Sequence, residues 1–431
     1  MRYFRFFPDC QFIAGPVRGT IYFTAKAKTC HLSKTESLIV KSLLSDESVD
    51  EVLGKYPAEG KPLLDRFIQE GFGAYFERPV FGEPYFPRCR FEIRGLLESP
   101  PAMRFACLQL SAECDGKCGF CGDDAFHHWQ GCNSCLRWPC GDRGRQLRLE
   151  DLAKTIEDLI HFNVQCVIFS GGNPLMNFDA VAAVSRRFQA SGKDIQVKVN
   201  TNGRHLTESV ARTAQELGMA FTFSVFGSSR AEYGMTTGDP QRYDHLVRAV
   251  MACKERQIPY DVALVVPAEL RSNYQRVWEF ASSLGGRTLF YTEILPKHGE
   301  RRKVLSLPTG SRRIQGVRAE EFFRRQKFNF CLSGNIAVAS NGALLPCPSW
   351  AEPIGNIHTE RDLRHLFRSQ TLMSFWEQPK EKLPACGTCE NRYSCVDCSV
   401  LEWGTHEDAS VRDCFCDYVP ESGEWRPAEE A

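Results

Sequence analysis

Three cysteines of the sequence are spaced so that their thiolates could ligate an iron–sulfur cluster. Cys114, Cys118 and Cys121 form a C-x3-C-x2-C pattern that closely follows the apolar run 105–110. Three thiolates on a tight, glycine-containing loop can hold three irons of a cubane cluster, which leaves the fourth iron without a protein ligand. An open metal position is typical of a catalytic centre, whereas a structural site saturates its metal. The pattern therefore predicts a catalytic iron–sulfur centre.

The whole chain is rich in cysteine. It contains 20 cysteines in 431 residues, seven of them within 107–140 and eight within 331–416. In a reducing compartment such clusters indicate metal ligands or catalytic thiols more than disulfides. An alternative for the first pattern is a zinc loop that borrows its fourth ligand from a neighbouring cysteine.

The insertion at 122–146 carries a metal-ligand pattern of its own, with His127 and His128 close by. Such spacing predicts metal ligation, and the insertion could have three roles. It could cap the active site as a small zinc or iron site, donate a missing ligand to the first cluster, or supply a thiol for chemistry. Its cysteines, in GCNSCLRWPC, are Cys132, Cys135 and Cys140.

The loop around Cys114 resembles that of the radical S-adenosylmethionine (radical SAM) enzymes, including the aromatic residue, Phe120, just before the last cysteine. The resemblance implies a [4Fe–4S] cluster whose free iron binds the amino and carboxylate groups of the methionine moiety of SAM. One-electron reduction then cleaves the sulfonium and yields a 5′-deoxyadenosyl radical that abstracts hydrogen from the substrate. An electron donor such as flavodoxin or ferredoxin is implied as well.

The same resemblance assigns residues to SAM itself. Gly171 and Gly172 match the glycine pair of that family, but Asn173 stands where glutamate is usual. Asparagine keeps a carbonyl acceptor for the cofactor's ammonium group and lacks the negative charge, so we expect this contact in a weaker form. Further contacts are implied for Asn200, Asn202 and Ser224.

The late cysteines resemble the SPASM extension of radical SAM enzymes, in which such cysteines bind two auxiliary [4Fe–4S] clusters. The resemblance implies Cys331, Cys347 and Cys398 for the first cluster and Cys386, Cys389, Cys395 and Cys414 for the second. Two residues separate Cys395 from Cys398 where three are more usual, and Cys416 is an extra cysteine that competes with Cys414 for the role of ligand. A pair of zinc knuckles is the alternative, and the sequence leaves open whether the first auxiliary cluster keeps a free iron.

Short apolar strands alternate with amphipathic helices through the middle of the chain. Strands that are apolar on both faces, alternating with helices, predict an α/β fold with a parallel sheet, a partial (β/α)6 barrel of the TIM type. In these sheets the chemistry lies at the carboxyl ends of the strands, where the cysteine loop and the glycine pair both fall. The predicted strands are 105–110, 166–170, 195–200, 221–226, 261–266 and 288–294, and the predicted helices are 149–162, 179–189, 207–217, 240–256 and 272–283.

The first 80 residues have a different order, with strands first and helices after them. Ser33 and Glu36 form a capping-box pattern at the start of the first helix. This order resembles the PqqD-like winged-helix domains of peptide maturases, which bind a leader peptide as an added strand at the sheet edge. A DNA-binding winged helix is the alternative, but the predicted helices are not basic, as a DNA reader requires.

Domain boundaries follow from composition. We expect a recognition domain at 1–80, a Pro- and Gly-rich linker at 81–103, a radical SAM core at 104–296 and a cysteine-rich iron–sulfur domain at 328–431. Between the last two, residues 297–327 carry ten Lys or Arg against three Glu, which fits a solvated connector or a lip for an acidic peptide. The last domain has few long apolar runs, so we expect it to need metal for its stability.

Charge and hydropathy exclude several classes of protein. The 53 basic residues balance 53 acidic ones, so no net charge favours nucleic acid or an anionic membrane as a partner. No run approaches the roughly 18 apolar residues of a membrane span, and no secretory signal is visible. We therefore expect a cytoplasmic protein.

Together these patterns predict a radical enzyme that modifies a ribosomally made precursor peptide whose leader is held by the first domain. Auxiliary clusters that accept an electron favour a net oxidation, such as a thioether or carbon–carbon crosslink. Peptide epimerisation, excision of a backbone fragment, a sulfatase-type maturase and a non-catalytic zinc scaffold or regulator are the alternatives. No acid or base is assigned, although Asp123, Asp124 and Tyr291 fall where strand ends converge.

Overall fold

The computed structural model describes residues 2–78, 102–121, 133–138, 140, 145–293, 314–384, 386–396, 416 and 418–425. Within these ranges, no helix combines the length and the apolar character that a bilayer span requires. Seven of the residues singled out above lie outside the described ranges: Asp123, Asp124, His127, His128, Cys132, Cys398 and Cys414.

The amino-terminal residues form two small antiparallel sheets and three helices. The elements are β1 (Tyr3–Phe6), β2 (Cys10–Ala14), β3 (Gly19–Phe23), β4 (Lys28–Leu32), α1 (Lys34–Leu44), α2 (Val49–Lys55), α3 (Gly60–Glu70) and β5 (Gly73–Phe76). β2, β3 and β4 form a meander with β3 in the middle, and β1 pairs with β5. Strands precede helices as predicted, and β5 adds one strand after them.

Two of these helices begin at capping boxes. Ser33 Oγ accepts from Glu36 N at 3.1 Å, and Glu36 Oε2 accepts from Ser33 N at 2.7 Å. Ser48 and Glu51 repeat the arrangement at α2. Both pairs satisfy N–H groups that a helix start leaves without partners. The capping box predicted at Ser33 is confirmed.

Six parallel strands form the centre of the molecule. They are β6 (Phe105–Leu108), β7 (Cys166–Phe169), β8 (Gln196–Thr201), β9 (Ala220–Val225), β10 (Tyr260–Val266) and β11 (Leu289–Glu293). Each strand pairs in parallel with the next along the chain. β7, β9 and β10 are buried at every residue, as parallel strands covered on both faces should be. The predicted parallel sheet is confirmed.

Helices connect these strands, and one of them was not predicted. They are α4 (Leu149–His161), α5 (Phe178–Ala190), α6 (Glu208–Glu216), α7 (Arg230–Thr237), α8 (Arg242–Glu255) and α9 (Tyr274–Ser283). α7 was missed because its sequence, RAEYGMTT, contains glycine and two threonines, which are poor helix formers. The burial of Tyr233 and a cap at Ser229 stabilise it instead.

Three carboxyl-terminal strands extend the sheet at its β6 edge. They are β12 (Asn335–Val338), β13 (Ala343–Leu345) and β14 (Gly355–Asn356). β12 runs parallel to β6, whereas β13 and β14 continue in antiparallel pairing. One continuous sheet therefore crosses the domain boundary that we expected near residue 328. The remaining elements are α10 (Ala319–Lys327), α11 (Leu363–Arg368), α12 (Thr371–Trp376), β15 (Tyr418–Val419) and β16 (Glu424–Trp425).

The carboxyl-terminal region also shares the hydrophobic core of the central sheet. Leu344, Leu366, Leu372 and Trp376 are fully buried in the same apolar cluster as Val199 of β8. Burial of these large side chains stabilises this part through packing. Scattered apolar side chains of this region thus join a core built elsewhere in the chain, and its need for metal stays a prediction.

The amino-terminal meander packs against the last cysteine-rich loop, residues 386–396. Tyr22 of β3 is fully buried, and its hydroxyl donates to Glu390 O at 2.7 Å. Thr20 Oγ1 donates to Asn391 Oδ1 at 2.9 Å. The two ends of the chain therefore form one interface.

The described part of the basic connector is held by ion pairs. Arg324 and Arg325 of α10 pair with Glu320 and Glu321 at 3.8 and 2.8 Å. Arg325 is buried and also donates to Tyr393 O at 2.8 Å. These two arginines have a structural role, and residues 297–313 lie outside the described ranges.

Replacing Leu344 by alanine should destabilise the whole sheet and not only its carboxyl-terminal strands. Leu344 is fully buried in the shared core, and truncation of such a leucine costs about 2–5 kcal/mol. We expect the urea transition of the central sheet, followed by near-UV circular dichroism without oxygen, to shift to lower urea. Leu44→Ala is the control, because Leu44 is 52% exposed and should change the free energy of unfolding by less than about 0.5 kcal/mol. An unshifted transition of the central sheet would contradict the shared core.

Candidate active site

The cysteine loop follows β6 and presents three thiols, each of which accepts one N–H group. Gly116 N donates to Cys114 Sγ at 3.4 Å, Arg137 N donates to Cys121 Sγ at 3.4 Å, and Arg242 Nη1 donates to Cys118 Sγ at 3.7 Å. Donors of this kind stabilise the negative charge of cluster ligands and influence the potential of an iron–sulfur cluster.

The burial of these thiols suits metal ligation. Burial raises the pKa of Cys118 to about 12 and also raises the pKa of Cys114, so free thiols here keep their protons at neutral pH. Iron would displace those protons and bind the thiolates. In the part of the chain that the structure describes, no three His, Cys, Asp or Glu side chains converge on a single ion. A cubane binds each thiolate through a different iron, so the donor set fits a cluster.

Asp115 lies between the first two cysteines and gathers polar groups from neighbouring strand ends. Its Oδ1 accepts from Asn173 Nδ2 and from Asn202 Nδ2, both at 3.2 Å. Its Oδ2 lies 3.2 Å from Arg204 Nε and 3.6 Å from Arg242 Nη2. Burial works to raise the pKa of Asp115, but the two amide hydrogen bonds and the charge of Arg242 outweigh it and hold the pKa below its usual value. Asp115 is therefore an anion that anchors the loop.

Asn173 is complementary to this carboxylate. Its Nδ2 donates to Asp115, and its Oδ1 accepts from Thr201 Oγ1 at 2.9 Å. The carbonyl oxygen that we expected to face the cofactor is thus used by Thr201 in this structure. A carboxylate at 173 would stand against Asp115, where like charges repel. The carboxylate at 115 gives a physical reason for the amide at 173.

The glycine pair is required by backbone conformation and by space. Gly171 has a φ of +82° and Gly172 a φ of +122°, values that favour glycine. A Cβ at Gly172 would lie 2.5 Å from Glu113 O, and one at Gly171 would lie 2.6 Å from Gln109 Nε2. The pair therefore lets the chain after β7 pass close to the cysteine loop.

Residues 133–138 of the insertion lie across the same strand ends, and we call this segment the plug. Three of the residues predicted to contact SAM, Gly172, Asn200 and Ser224, hydrogen-bond to it. Gly172 N donates to Cys135 O at 3.2 Å, and Asn200 Nδ2 donates to Ser134 O at 3.3 Å. Ser224 Oγ accepts from Cys135 N at 3.0 Å.

The structure places the cysteines of the insertion in different surroundings. Cys135 is buried, and burial together with charge on Cys114, Cys118 and Cys121 raises its pKa well above the usual value. Cys140 packs at the edge of another apolar cluster, which contains Ala343 and Leu345 of β13. Cys135 therefore groups with the core thiols.

The predicted auxiliary ligands lie around the added strands and the last cysteine-rich loop. Cys331 precedes β12 and Cys347 follows β13, where it packs with Leu332. Burial and the neighbouring charge of Glu390 raise the pKa of Cys389. Tyr418, two residues after Cys416, donates its hydroxyl to Glu390, which is adjacent to Cys389 in the chain. Among the described thiols of that set, Cys395 also accepts from Lys380 Nζ at 3.3 Å.

Two residues of the site were not predicted from the sequence. Asp115 could have been found, because it lies inside the cysteine motif. Arg242 is 3% exposed at the start of α8 and 124 positions from Cys118, so no local spacing connects the two. Tyr291 packs against Tyr274 with ring centroids 6.1 Å apart, and we assign it no chemistry.

Asn173→Asp should destabilise the protein, because it would place a buried carboxylate at 173 against the partly buried carboxylate of Asp115. We expect a loss of about 1–3 kcal/mol in the free energy of unfolding, measured by urea denaturation without oxygen. The double variant Asn173→Asp/Asp115→Asn restores one amide and one carboxylate and should recover most of the loss.

The matched control for this exchange is Asn163→Asp, at an exposed position where Lys193 Nζ lies 2.6 Å from Asn163 Oδ1. It should cause no loss of stability. A double variant that is no more stable than Asn173→Asp would show that the two side chains are not a matched pair.

Comparison with protein families identifies two parts of the chain. Residues 108–281 match the Radical SAM superfamily, and residues 330–390 match SPASM, an iron–sulfur cluster-binding domain. The first range contains the cysteine loop, the glycine pair and Ser224, and the second contains Cys331, Cys347, Cys386 and Cys389. These two domain types indicate [4Fe–4S] clusters and SAM binding.

Similar proteins include enzymes with different substrates. AdoMet-dependent heme synthase of Methanosarcina barkeri (strain Fusaro / DSM 804) is 21% identical over 357 residues, which cover 74% of this chain and 97% of that protein. Among solved structures, Streptococcus suis SuiB bound to precursor peptide SuiA is 14% identical, with 96% of this chain and 100% of that chain covered and a TM-score of 0.48. Native anSMEcpe with bound AdoMet and Cp18Cys peptide is 16% identical, with 68% and 88% covered and a TM-score of 0.48.

The two structural likenesses are too distant to carry an argument about substrate. The family assignment stands on the two domain matches, whose ranges contain the cysteine loop and four of the late cysteines. This chain is therefore an enzyme that contains a radical SAM domain and a SPASM iron–sulfur cluster-binding domain.

Proposed function

We propose that this enzyme modifies a ribosomally made precursor peptide through a 5′-deoxyadenosyl radical, with a thioether or carbon–carbon crosslink as the product. The observation that carries the proposal is the interface between the amino-terminal meander and residues 386–396. A small sheet suited to peptide capture thus packs directly on the cysteine-rich loop that we assign to redox chemistry.

The meander offers edges to which a peptide could add as a further strand. Within the described residues, β2 and β4 each pair with β3 on one side only. Backbone N–H and C=O groups at such edges bind extended peptides. The β4 edge is the better candidate, because His31 and Leu32 at its end line a cavity of about 120 Å³ that Glu390 and Trp425 complete. A leader bound along β4 would therefore lie at the junction of the two ends of the chain.

At the core, three thiols and two charges would hold the cluster and the cofactor. Cys114, Cys118 and Cys121 would ligate three irons, and the cluster with SAM supplies the 5′-deoxyadenosyl radical when reduced by a donor such as flavodoxin or ferredoxin. Asp115 supplies the negative charge that is absent at 173, and Arg242 supplies a buried positive charge. These are the two charges that a zwitterionic amino-acid group requires.

We further propose two auxiliary clusters. Cys331, Cys347 and Cys398 would hold the first, and Cys386, Cys389 and Cys395 would hold the second with either Cys414 or Cys416. The hydrogen bond from Tyr418 to Glu390 brings the chain around Cys416 toward Cys389 and favours Cys416 as that ligand. Such clusters would accept the electron that a net oxidation releases, and we expect all of them to function in a reducing cytoplasm.

A second candidate function is AdoMet-dependent heme synthesis. It is favoured by the sequence match to the Methanosarcina barkeri enzyme, of which 97% is covered. Heme synthesis would give the amino-terminal meander no role, whereas peptide modification gives it the role of binding the leader peptide.

Cys118→Ala should abolish SAM cleavage, because it removes one of the three core ligands. Anaerobically purified variant should lack about four irons per chain, the content of one cubane, and should form no 5′-deoxyadenosine with SAM and dithionite by liquid chromatography and mass spectrometry. Cys253→Ala is the control, since Cys253 is a buried cysteine of α8 that we place outside the site. Wild-type cleavage by Cys118→Ala would refute the core site.

The substrate class can be tested with a short peptide encoded beside this chain. After anaerobic incubation with enzyme, SAM and reductant, we expect the peptide to lose two hydrogens by mass spectrometry, as crosslinking requires. Unchanged mass with deuterium uptake from solvent would indicate epimerisation instead. An unmodified peptide, together with conversion of a heme precursor in a parallel reaction, would favour the second candidate.

A further inference from the structure

The plug occupies the edge of the sheet where ligands of parallel α/β proteins bind. Four hydrogen bonds of 2.7–3.3 Å hold it there. They join Ser170 Oγ and Asn200 Nδ2 to Ser134 O, Cys135 N to Ser224 Oγ, and Gly172 N to Cys135 O. The strand-end groups that a bound cofactor would use are thus already engaged by the chain itself.

The plug also brings a fourth thiol to the three core cysteines. Cys135 is 6% exposed and belongs to the hydrophobic core against which Cys118 and Cys121 pack. Arg137 N, two residues further on, donates to Cys121 Sγ at 3.4 Å, so the backbone of the plug already contacts one core thiol.

We propose that Cys135 is the fourth thiolate ligand of the core [4Fe–4S] cluster when SAM is absent, and that SAM binding displaces Cys135 together with the plug. The proposal rests on the proposed function only in requiring a cluster at the three core cysteines. It gives the enzyme a closed resting state, in which every iron has a thiolate, and an open state with SAM bound. Saturated ligation is what makes a metal site unreactive.

The ligand exchange balances without electron transfer. The bond from the fourth iron to Cys135 Sγ breaks, and bonds from that iron to the amino nitrogen and a carboxylate oxygen of SAM form. The ammonium group of SAM loses a proton when it becomes a ligand, and the released thiolate takes up a proton. Cluster oxidation state is unchanged, so the exchange needs no external reductant.

Two polar groups of the plug favour its release. Ser134 Oγ and Trp138 Nε1 are buried and have no hydrogen-bond partner in the described part of the chain. Burial of unpaired polar groups is unfavourable, and exposure to water would satisfy both. The docked plug is therefore held less strongly than its four hydrogen bonds alone would suggest.

The first test compares Cys135→Ala with wild type after brief ferricyanide oxidation of anaerobic holoenzyme without SAM. An open fourth iron is lost on oxidation and leaves a [3Fe–4S] cluster with a distinct electron paramagnetic resonance signal. We expect several-fold more of this signal in Cys135→Ala than in wild type. Cys140→Ala, the control from the same insertion, should behave as wild type, and Cys118→Ala gives the background of the auxiliary clusters.

The affinity for SAM provides a second readout. Because wild type must first release Cys135, the apparent Kd by equilibrium dialysis should be about tenfold lower in Cys135→Ala, as expected when a competing state is removed. Equal [3Fe–4S] signals and equal Kd values in Cys135→Ala and wild type would overturn the proposal.

A third measurement needs no variant of Cys135. Wild-type holoenzyme is treated with iodoacetamide with and without SAM, and alkylation of Cys135 is quantified by peptide mass spectrometry. We expect protection without SAM and alkylation with it, and the same degree of alkylation in both states would contradict displacement. SAM cleavage by the same wild-type sample separates the two hypotheses. Cleavage without any change in the alkylation of Cys135 refutes the displacement of the plug and leaves the proposed function intact. Absence of cleavage refutes the proposed function.

Discussion

The carboxylate of Asp115 ties the catalytic edge of the sheet together. It accepts hydrogen bonds from amides that follow β7 and β8, and it pairs with Arg204 and with Arg242 at the start of α8. Because the carboxylate is largely shielded from water, each of these interactions is stronger than it would be at the surface. The cysteine loop, two strand ends and one helix are thus fixed relative to one another by a single side chain. The amide at residue 173 agrees with this constraint, because it donates to the carboxylate, whereas a second carboxylate at 173 would repel it.

The continuous sheet gives the core and the SPASM region a common frame. β6, which leads into the cysteine loop, lies between β7 and β12, and β12 follows Cys331 directly. Backbone hydrogen bonds and a shared apolar core make this junction stiff. The amino-terminal meander is attached to residues 386–396 through Tyr22. The cysteine loop after β6 and Cys331 before β12 are therefore positioned by the same sheet.

The strand ends are suited to two different occupants. The plug uses backbone carbonyl and N–H groups to engage Ser170, Asn200 and Ser224, which are small polar side chains that a cofactor could engage in the same way. Competition between chain and cofactor for one set of groups is a simple physical means of linking cluster reactivity to SAM concentration. Such a link would limit exposure of an oxygen-sensitive centre to the period in which the enzyme can use it.

The sequence by itself determined the parallel sheet, the cysteine loop and the glycine pair, because each of them is encoded in residues close together along the chain. Strand periodicity, the spacing of Cys114, Cys118 and Cys121, and the need for glycine at 171 and 172 are local properties of this kind. Only the tertiary structure showed the contacts of Asp115 and Arg242 and favoured one of the predicted roles for Cys135, since their partners come from distant segments of the chain. The junction of β12 with β6 was likewise invisible in the sequence, because strand pairing depends on which edges remain open after the chain has folded.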